Sequence, residues 1–217
     1  PIAYLEGYKA LNLTTEKLSW PKKPKTIFTS NSFWGDDIFK AWSARKTESG
    51  TPLVIGQHGG GYGMCLFEFG DDHQSKIADK WISWGWNDIN RSNIIPVGNL
   101  KTMGRKVRYN PKGSVLMVEF NVPRYSYHLY SAPIAGQWLN YFNDQKKFLT
   151  NLPEKLQEKI VLRLHHQDYE KNQVDRWQDA MPELSIDSGA QDIKNLIQNS
   201  RLYIATYNGT TYLESLT

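Results

Sequence analysis

Apolar positions along this chain follow two patterns, a helical stripe and a short continuous run, and the two alternate. Ile2, Leu5, Tyr8 and Leu11 recur at helical spacing, so residues 1–13 read as a helix. A proline-bounded connector covers 20–25, residues 25–30 read as a strand and 31–35 as a loop. Ile38, Phe39 and Trp42 share one face of a helix over 38–46. Asp36 or Asp37 can cap it, a side-chain oxygen meeting free N–H groups at the positive dipole end. Leu53-Val54-Ile55 has the length and β-branched content of a buried strand. Residues 68–80 read as a loop running into a helix, with strands at 80–86 and 94–98. Strand, helix, strand, helix, strand at this spacing predicts a parallel sheet with crossover helices.

Residues 101–111 are basic, polar and poorly periodic, a candidate link between domains. Beyond them the alternation resumes, with a strand at 114–120, helical segments at 134–147 and 152–159, and a strand at 160–168. An edge-type strand at 184–188, a helix at 191–199, a strand at 202–205 and a turn into a last helix complete it. The fold class expected is α/β, two Rossmann-like parallel-sheet units. The chain opens on apolar, periodic residues without an initiator methionine and stops inside an expected helix, so it reads as a fragment of a larger chain.

Composition narrows this picture only a little. The 217 residues are 40% hydrophobic and 22% charged, ordinary for a soluble globular protein of one large or two small domains. Eight Trp, twelve Tyr and eight Phe suit planar or sugar-like ligands, and equally an ordinary core. The net charge of +4 comes with no basic block except the proline-broken run at 21–25, so no nucleic-acid partner is expected. A lone cysteine, Cys65, excludes an internal disulfide and a cysteine-based zinc site, and fits a reducing, cytoplasmic setting. No signal peptide or membrane-length apolar run is present.

Candidate chemistry gathers after the expected strands. Gly56-Gln57-His58-Gly59-Gly60-Gly61-Tyr62-Gly63 follows the 53–55 run, a loop that makes sense where something approaches the backbone closely. It puts His58 beyond a strand's carboxyl end, where open α/β sheets bind ligands. A tight turn with one solvated histidine accounts for the same residues, which form neither a P-loop nor a dinucleotide fingerprint. Asp36 and Asp37, caps or catalytic groups, and Glu68 complete a first-half set able to act as base, nucleophile or acid. Glu68, Asp71, Asp72 and His73 have no standard metal spacing, and no metal is expected. In the second half, polar clusters follow three apolar strands: Arg124 with Tyr127, Arg163 with His165 and His166, and Asn208-Gly209-Thr210-Thr211. Each alone has a structural explanation. Their shared place after strands, with hydroxyls and free N–H groups opening a helix, points to a nucleotide phosphate, and Glu214 to capping support or to ribose or base hydrogen bonds.

The segments IFTSNSFWGDDIFKAW, IGQHGGGYG, ADKWISWGW, LRLHHQD and YNGTTYLESLT resemble a family of transferases associated with bacterial lipopolysaccharide biosynthesis. More distantly they are similar to retaining β-Kdo transferases and other GT-B glycosyltransferases. The resemblance implies two Rossmann-like domains with the active site in their cleft. Residues 1–105 would be the later part of an acceptor-side domain and 106–217 the early part of a nucleotide-sugar domain. It also implies a nucleotide-sugar donor as substrate, no further cofactor, and a glycan or lipid-linked glycan acceptor met peripherally at the inner face of the cytoplasmic membrane. Thr210 and Thr211 match the hydroxyls with which such enzymes hold a cytidine monophosphate sugar, and His58 with Asp36 or Asp37 match the catalytic pair. A CDP-glycerol-type polyol-phosphate transferase, which shares the fold, and a non-catalytic nucleotide- or glycan-binding module are the alternatives.

Overall fold

The computed structural model describes residues 2–64, 69–104, 106, 109–125 and 135–216. They form two compact units, Pro1–Gly104 and Arg105–Thr217.

The first unit contains α1 (Ile2–Lys17), β1 (Ile27–Thr29), α2 (Ser32–Gly35), α3 (Asp37–Glu48), β2 (Leu53–Gly56), α4 (Phe69–Ile77), β3 (Lys80–Ser83) and β4 (Ile94–Pro96). All four strands are parallel, in the order β1-β2-β3-β4. Strand side chains alternate between faces. The register therefore puts Ile27, Leu53, Ile55, Trp81 and Ile94 on one side, where they form a single core with Phe33 and Ala78. Phe28 and Ile95 point the other way and stay 53% and 37% exposed. The stripe Ile2, Leu5 and Tyr8 lies on a helix as expected, is exposed, and α1 meets α3 through polar groups, Arg45 donating to Glu16 and Thr15. Two sequence expectations need correction. The loop at 31–35 contains the helical turn α2. The strand expected over 80–86 ends at Ser83, where Gly85 turns the chain at φ +116.

The second unit contains β5 (Ser114–Val118), α5 (Gln137–Thr150), α6 (Glu154–Gln157), β6 (Ile160–Arg163), α7 (Gln173–Ala180), β7 (Ser185–Asp187), α8 (Ile193–Gln198), β8 (Ser200–Ala205) and α9 (Thr210–Glu214). These strands are also all parallel, in the order β7-β6-β5-β8. Central β5 is apolar on both sides, as a strand covered on both faces must be. Val115 and Met117 pack with Trp138, Tyr141, Phe142 and Leu149 of α5 and Trp177 of α7. Leu116 and Val118 pack with Leu196 and Ile197 of α8. Strand β6 is shorter than the 160–168 expected, and α7 is an element the polar sequence did not announce. Two four-stranded parallel α/β units are compatible with a Rossmann-like pair. Among the described residues no helix is long and apolar enough to cross a membrane.

Candidate functional site

From β5 the chain steps to β6 and β7 on one side, then returns as β8 on the other side of β5. Where strand order reverses, the loops leaving neighbouring strands diverge to opposite faces and open a crevice at the carboxyl edge. In this unit that switch point falls between β5 and β8.

Polar side chains hold that edge in place. The Thr206 hydroxyl donates to the Val118 carbonyl at 2.8 Å, and the Tyr141 hydroxyl accepts the Phe120 N–H at 2.9 Å and also meets Thr206. Burial, with the nearby Glu119 carboxyl, raises the Tyr141 pKa and keeps it a neutral linker. Glu119 is 3% exposed. One of its oxygens accepts the Trp177 indole N–H at 3.1 Å, and the other has no partner among the described residues. Burial pushes its pKa up to about 7.

Beside β5, the loop from β6 into α7 is built around Asp168. Its carboxylate accepts the N–H groups of Lys171, Asn172 and Gln173 at 2.7, 2.7 and 2.8 Å. Burial works against its ionisation, but these bonds win and its pKa is lowered. Tyr169, Glu170 and Asn172 all take positive φ, a left-handed path that Asp168 holds in place. The path turns Lys171 inward, where its ammonium donates to Asn121 Oδ1 and the Val122 carbonyl, each at 2.6 Å. Both acceptors are neutral, and burial lowers the Lys171 pKa to about 8. Next to it is a hollow of about 350 Å³, lined by Arg124, Tyr125, Trp138, Leu139, Lys171 and Arg176 among others.

The residues singled out in the second unit fall at this carboxyl edge in different states. Arg124 is exposed and lies over the Tyr125 ring. Tyr127 lies outside the described residues. Arg163 is committed to Asp187, its register partner on β7, and to the Gln191 carbonyl at 2.8 Å. His165 turns its Nδ1 to the Gln167 N–H at 3.1 Å and rests 4.4 Å from the His166 ring. Burial first, then the His166 and Arg163 charges, lower its pKa, so its ring is neutral at pH 7. Asn208 is exposed, Gly209 caps α9, Thr210 and Thr211 are half-buried in its first turn, and Glu214 is buried. With five residues α9 carries little macrodipole, so hydroxyls would have to hold an anion there.

In the first unit the glycine loop is pinned by an amide. Gln57 Oε1 accepts the Trp84 N–H at 2.8 Å and the Trp86 indole N–H at 3.0 Å, and its Nε2 donates to the Gly59 carbonyl at 2.6 Å. Gly63 sits at φ +73 with room taken by Trp86, whose ring lies 2.6 Å from where a Cβ would be. At Gly63 the close approach is therefore by the protein's own indole, whereas a Cβ at Gly61 would meet open space. Gly60 is buried and Gly59 half-buried. His58 is exposed at the tip, with no hydrogen-bond partner among the described residues. Asp36 caps α3 through the Phe39 N–H at 2.9 Å. Asp37 pairs with Lys40 at 2.6 Å and accepts the Tyr4 hydroxyl at 3.4 Å, and its pKa is lowered chiefly by the Lys40 bond. Glu68 lies outside the described residues. Asp71 accepts the Gly63 N–H, and Asp72 pairs with Arg91 and Lys76.

Sequence reasoning passed over Glu119, Asp168, Lys171 and Arg176. The signal for Glu119 is a single acid closing an otherwise apolar strand run. For Asp168 it is an acid with free N–H groups three to five residues ahead, a capping pattern.

A family model described as LIC12162 family transferase matches residues 1–217. No curated protein and no solved structure matches the chain.

Proposed function

Since the chain belongs to the LIC12162 family of transferases, we propose that it is a GT-B glycosyltransferase moving a sugar from a nucleotide-activated donor of the CMP-Kdo kind to a lipopolysaccharide or surface-polysaccharide acceptor. The observation that carries this reading is the reversal of strand order at β5, with polar clusters after β6, β5 and β8 on one carboxyl edge. The donor phosphate rests on the hydroxyls of Thr210 and Thr211, with His165 and Arg163 beyond the neighbouring strand. Asn208, Gly209 and Glu214 flank the nucleoside. Arg163 contributes position more than net charge, because Asp187 already neutralises it.

On the acceptor side the first unit offers His58. It takes the proton of the acceptor hydroxyl as that oxygen bonds to the anomeric carbon. The bond from that carbon to the phosphate oxygen breaks, and the nucleotide leaves with the electron pair. The lowered pKa of Asp37 keeps its carboxylate ionised and able to stabilise positive charge on the sugar. A glycan or lipid-linked glycan is the acceptor, met at the inner face of the cytoplasmic membrane.

Calorimetric titration with CMP, CDP, UDP and GDP tests the donor site. Cytidine nucleotides should bind, and Thr211→Ala should weaken them. If none of the four binds, the nucleotide reading fails. Turnover of CDP-glycerol in place of a CMP-activated sugar would make the protein a polyol-phosphate transferase. One observation favours a binding module over an enzyme: Arg163, Asp36 and Asp37 already hold structural partners. Nucleotide binding without turnover of any donor would decide for it.

A further inference from the structure

The hollow beside Lys171 is a different place from the switch point between β5 and β8, and its chemistry is unusual. Three cations line it, Arg124, Lys171 and Arg176, against one acid, Glu170. Among the described residues none of the three makes an ion pair with a carboxylate. Lys171 is spent on a side-chain amide and a carbonyl, and Arg176 uses only its Nε, on the Lys171 carbonyl at 2.8 Å. Lys171 is buried while Arg124 and Arg176 are exposed, so three cations meet one lining acid, and an anion would balance the excess.

The wall is also aromatic. The Lys171 ammonium and Arg176 guanidinium lie 5.3 and 5.8 Å from the Trp138 ring centroid, which fixes both cations at one spot. Trp138 is 4% exposed, yet its indole N–H is buried with no partner among the described residues. A buried donor left unpaired costs stability unless a ligand or water completes it. At about 350 Å³ the hollow is at the small end of the roughly 300–1,000 Å³ of small-molecule sites. A single small ring carrying a negative group fits this combination of size, cations and aromatic wall.

We propose that this hollow is a binding site for an anionic monosaccharide, one bearing a phosphate or a carboxylate, with Arg124 and Arg176 on the charged group and Tyr125, which is 79% exposed, against the ring. Arg124 thereby belongs to this hollow rather than to the nucleotide. The site goes beyond the transfer reading and does not need it: nucleotide titrations can fail while a charged sugar still binds.

The test is calorimetric titration of the full chain with glucose 1-phosphate, glucuronate, glucose and inorganic phosphate. At least one charged sugar should bind about tenfold tighter than glucose and than inorganic phosphate, the effect of one charged hydrogen bond added to a ring contact. The phosphate and carboxylate arms show which group is preferred. Arg176→Ala should weaken that binding about tenfold, with circular dichroism unchanged, and Arg124→Ala gives the same reading at an exposed position where folding is not at stake. Thr211→Ala should leave it unchanged. The proposal is overturned if neither charged sugar outbinds glucose, if inorganic phosphate binds as tightly as the sugars, or if both arginine variants bind like the wild type.

Discussion

The two units share one recipe, four short parallel strands, and use it differently. In the first the strands run β1-β2-β3-β4 without reversal, and the described core lies on one face. In the second the order reverses at β5, and both faces of that strand are packed. The polar chemistry divides the same way. The first unit holds its glycine loop mostly with amides and indoles, Gln57 on Trp84 and Trp86 and Gln74 on Trp81 and Tyr62, together with one carboxylate, Asp71, on the Gly63 N–H. The second holds its edge with ionisable groups, Asp168, Lys171, Glu119 and the Arg163–Asp187 pair. The second sheet has a switch point at β5, with charged side chains around it, and the described first sheet has none.

Four experiments test that contrast. The largest effect is expected at His58, the exposed group the glycine loop presents. His58→Ala should lower kcat on an activated sugar by about 10²- to 10⁴-fold with the urea midpoint unchanged. Full turnover in that variant would reduce the glycine loop to architecture. Next is the amide that holds the loop. Gln57→Ala leaves the Trp84 and Trp86 N–H groups without their acceptor, and should cost about 3 kcal/mol by urea denaturation. A loss under about 1 kcal/mol, the worth of a single ordinary hydrogen bond, would mean the first unit is not held this way.

The second unit should respond to pH near neutrality through Glu119. Glu119 ionises at about 7 when folded against an ordinary 4.5, so the folded state keeps a proton that the unfolded chain releases. That contribution to stability is complete below pH 4.5 and is lost as pH rises through 7. The wild type should therefore lose on the order of 2 kcal/mol relative to Glu119→Gln between pH 5 and pH 8. A pH-independent difference between the two would contradict the assignment. The smallest effect is at the cap of α3. Asp36→Ala should cost about 1 kcal/mol, while Asp36→Asn keeps the cap acceptor and should cost less. If Asp36→Asn abolishes turnover with stability intact, Asp36 has a chemical task besides capping.

Much of the fold was legible because apolar runs of strand length announce themselves. Leu53–Gly56 runs one residue past the 53–55 read as a strand, Ser114–Val118 and Ile160–Arg163 lie within segments read as strands, and edge strand β7 has the mixed character expected of an edge. Helix α7 was not legible: over QVDRWQDA only Gln173 and Trp177 are buried, and a stripe made of one indole and one amide carries no hydrophobic period. The reversal at β5 was not legible either, since strand order is decided by which face each crossover covers. As for the candidate residues, position after a strand was readable and partnership was not. Arg163, Asp36 and His58 look alike as polar residues near strand ends. Only the coordinates separate a guanidinium bound to Asp187, a carboxylate spent on Phe39 and an imidazole with no described partner.

Trp86 gives the glycine loop an optical property of its own. Its indole N–H is tied to Gln57 and its ring lies on the Gly63 backbone, tilted against Trp81 of the core with 5.0 Å between centroids. Any movement of the segment that carries His58 must loosen that ring and wet it, shifting its emission to longer wavelength. Opening and closing of the loop could thus be followed by light in solution, without attaching a label.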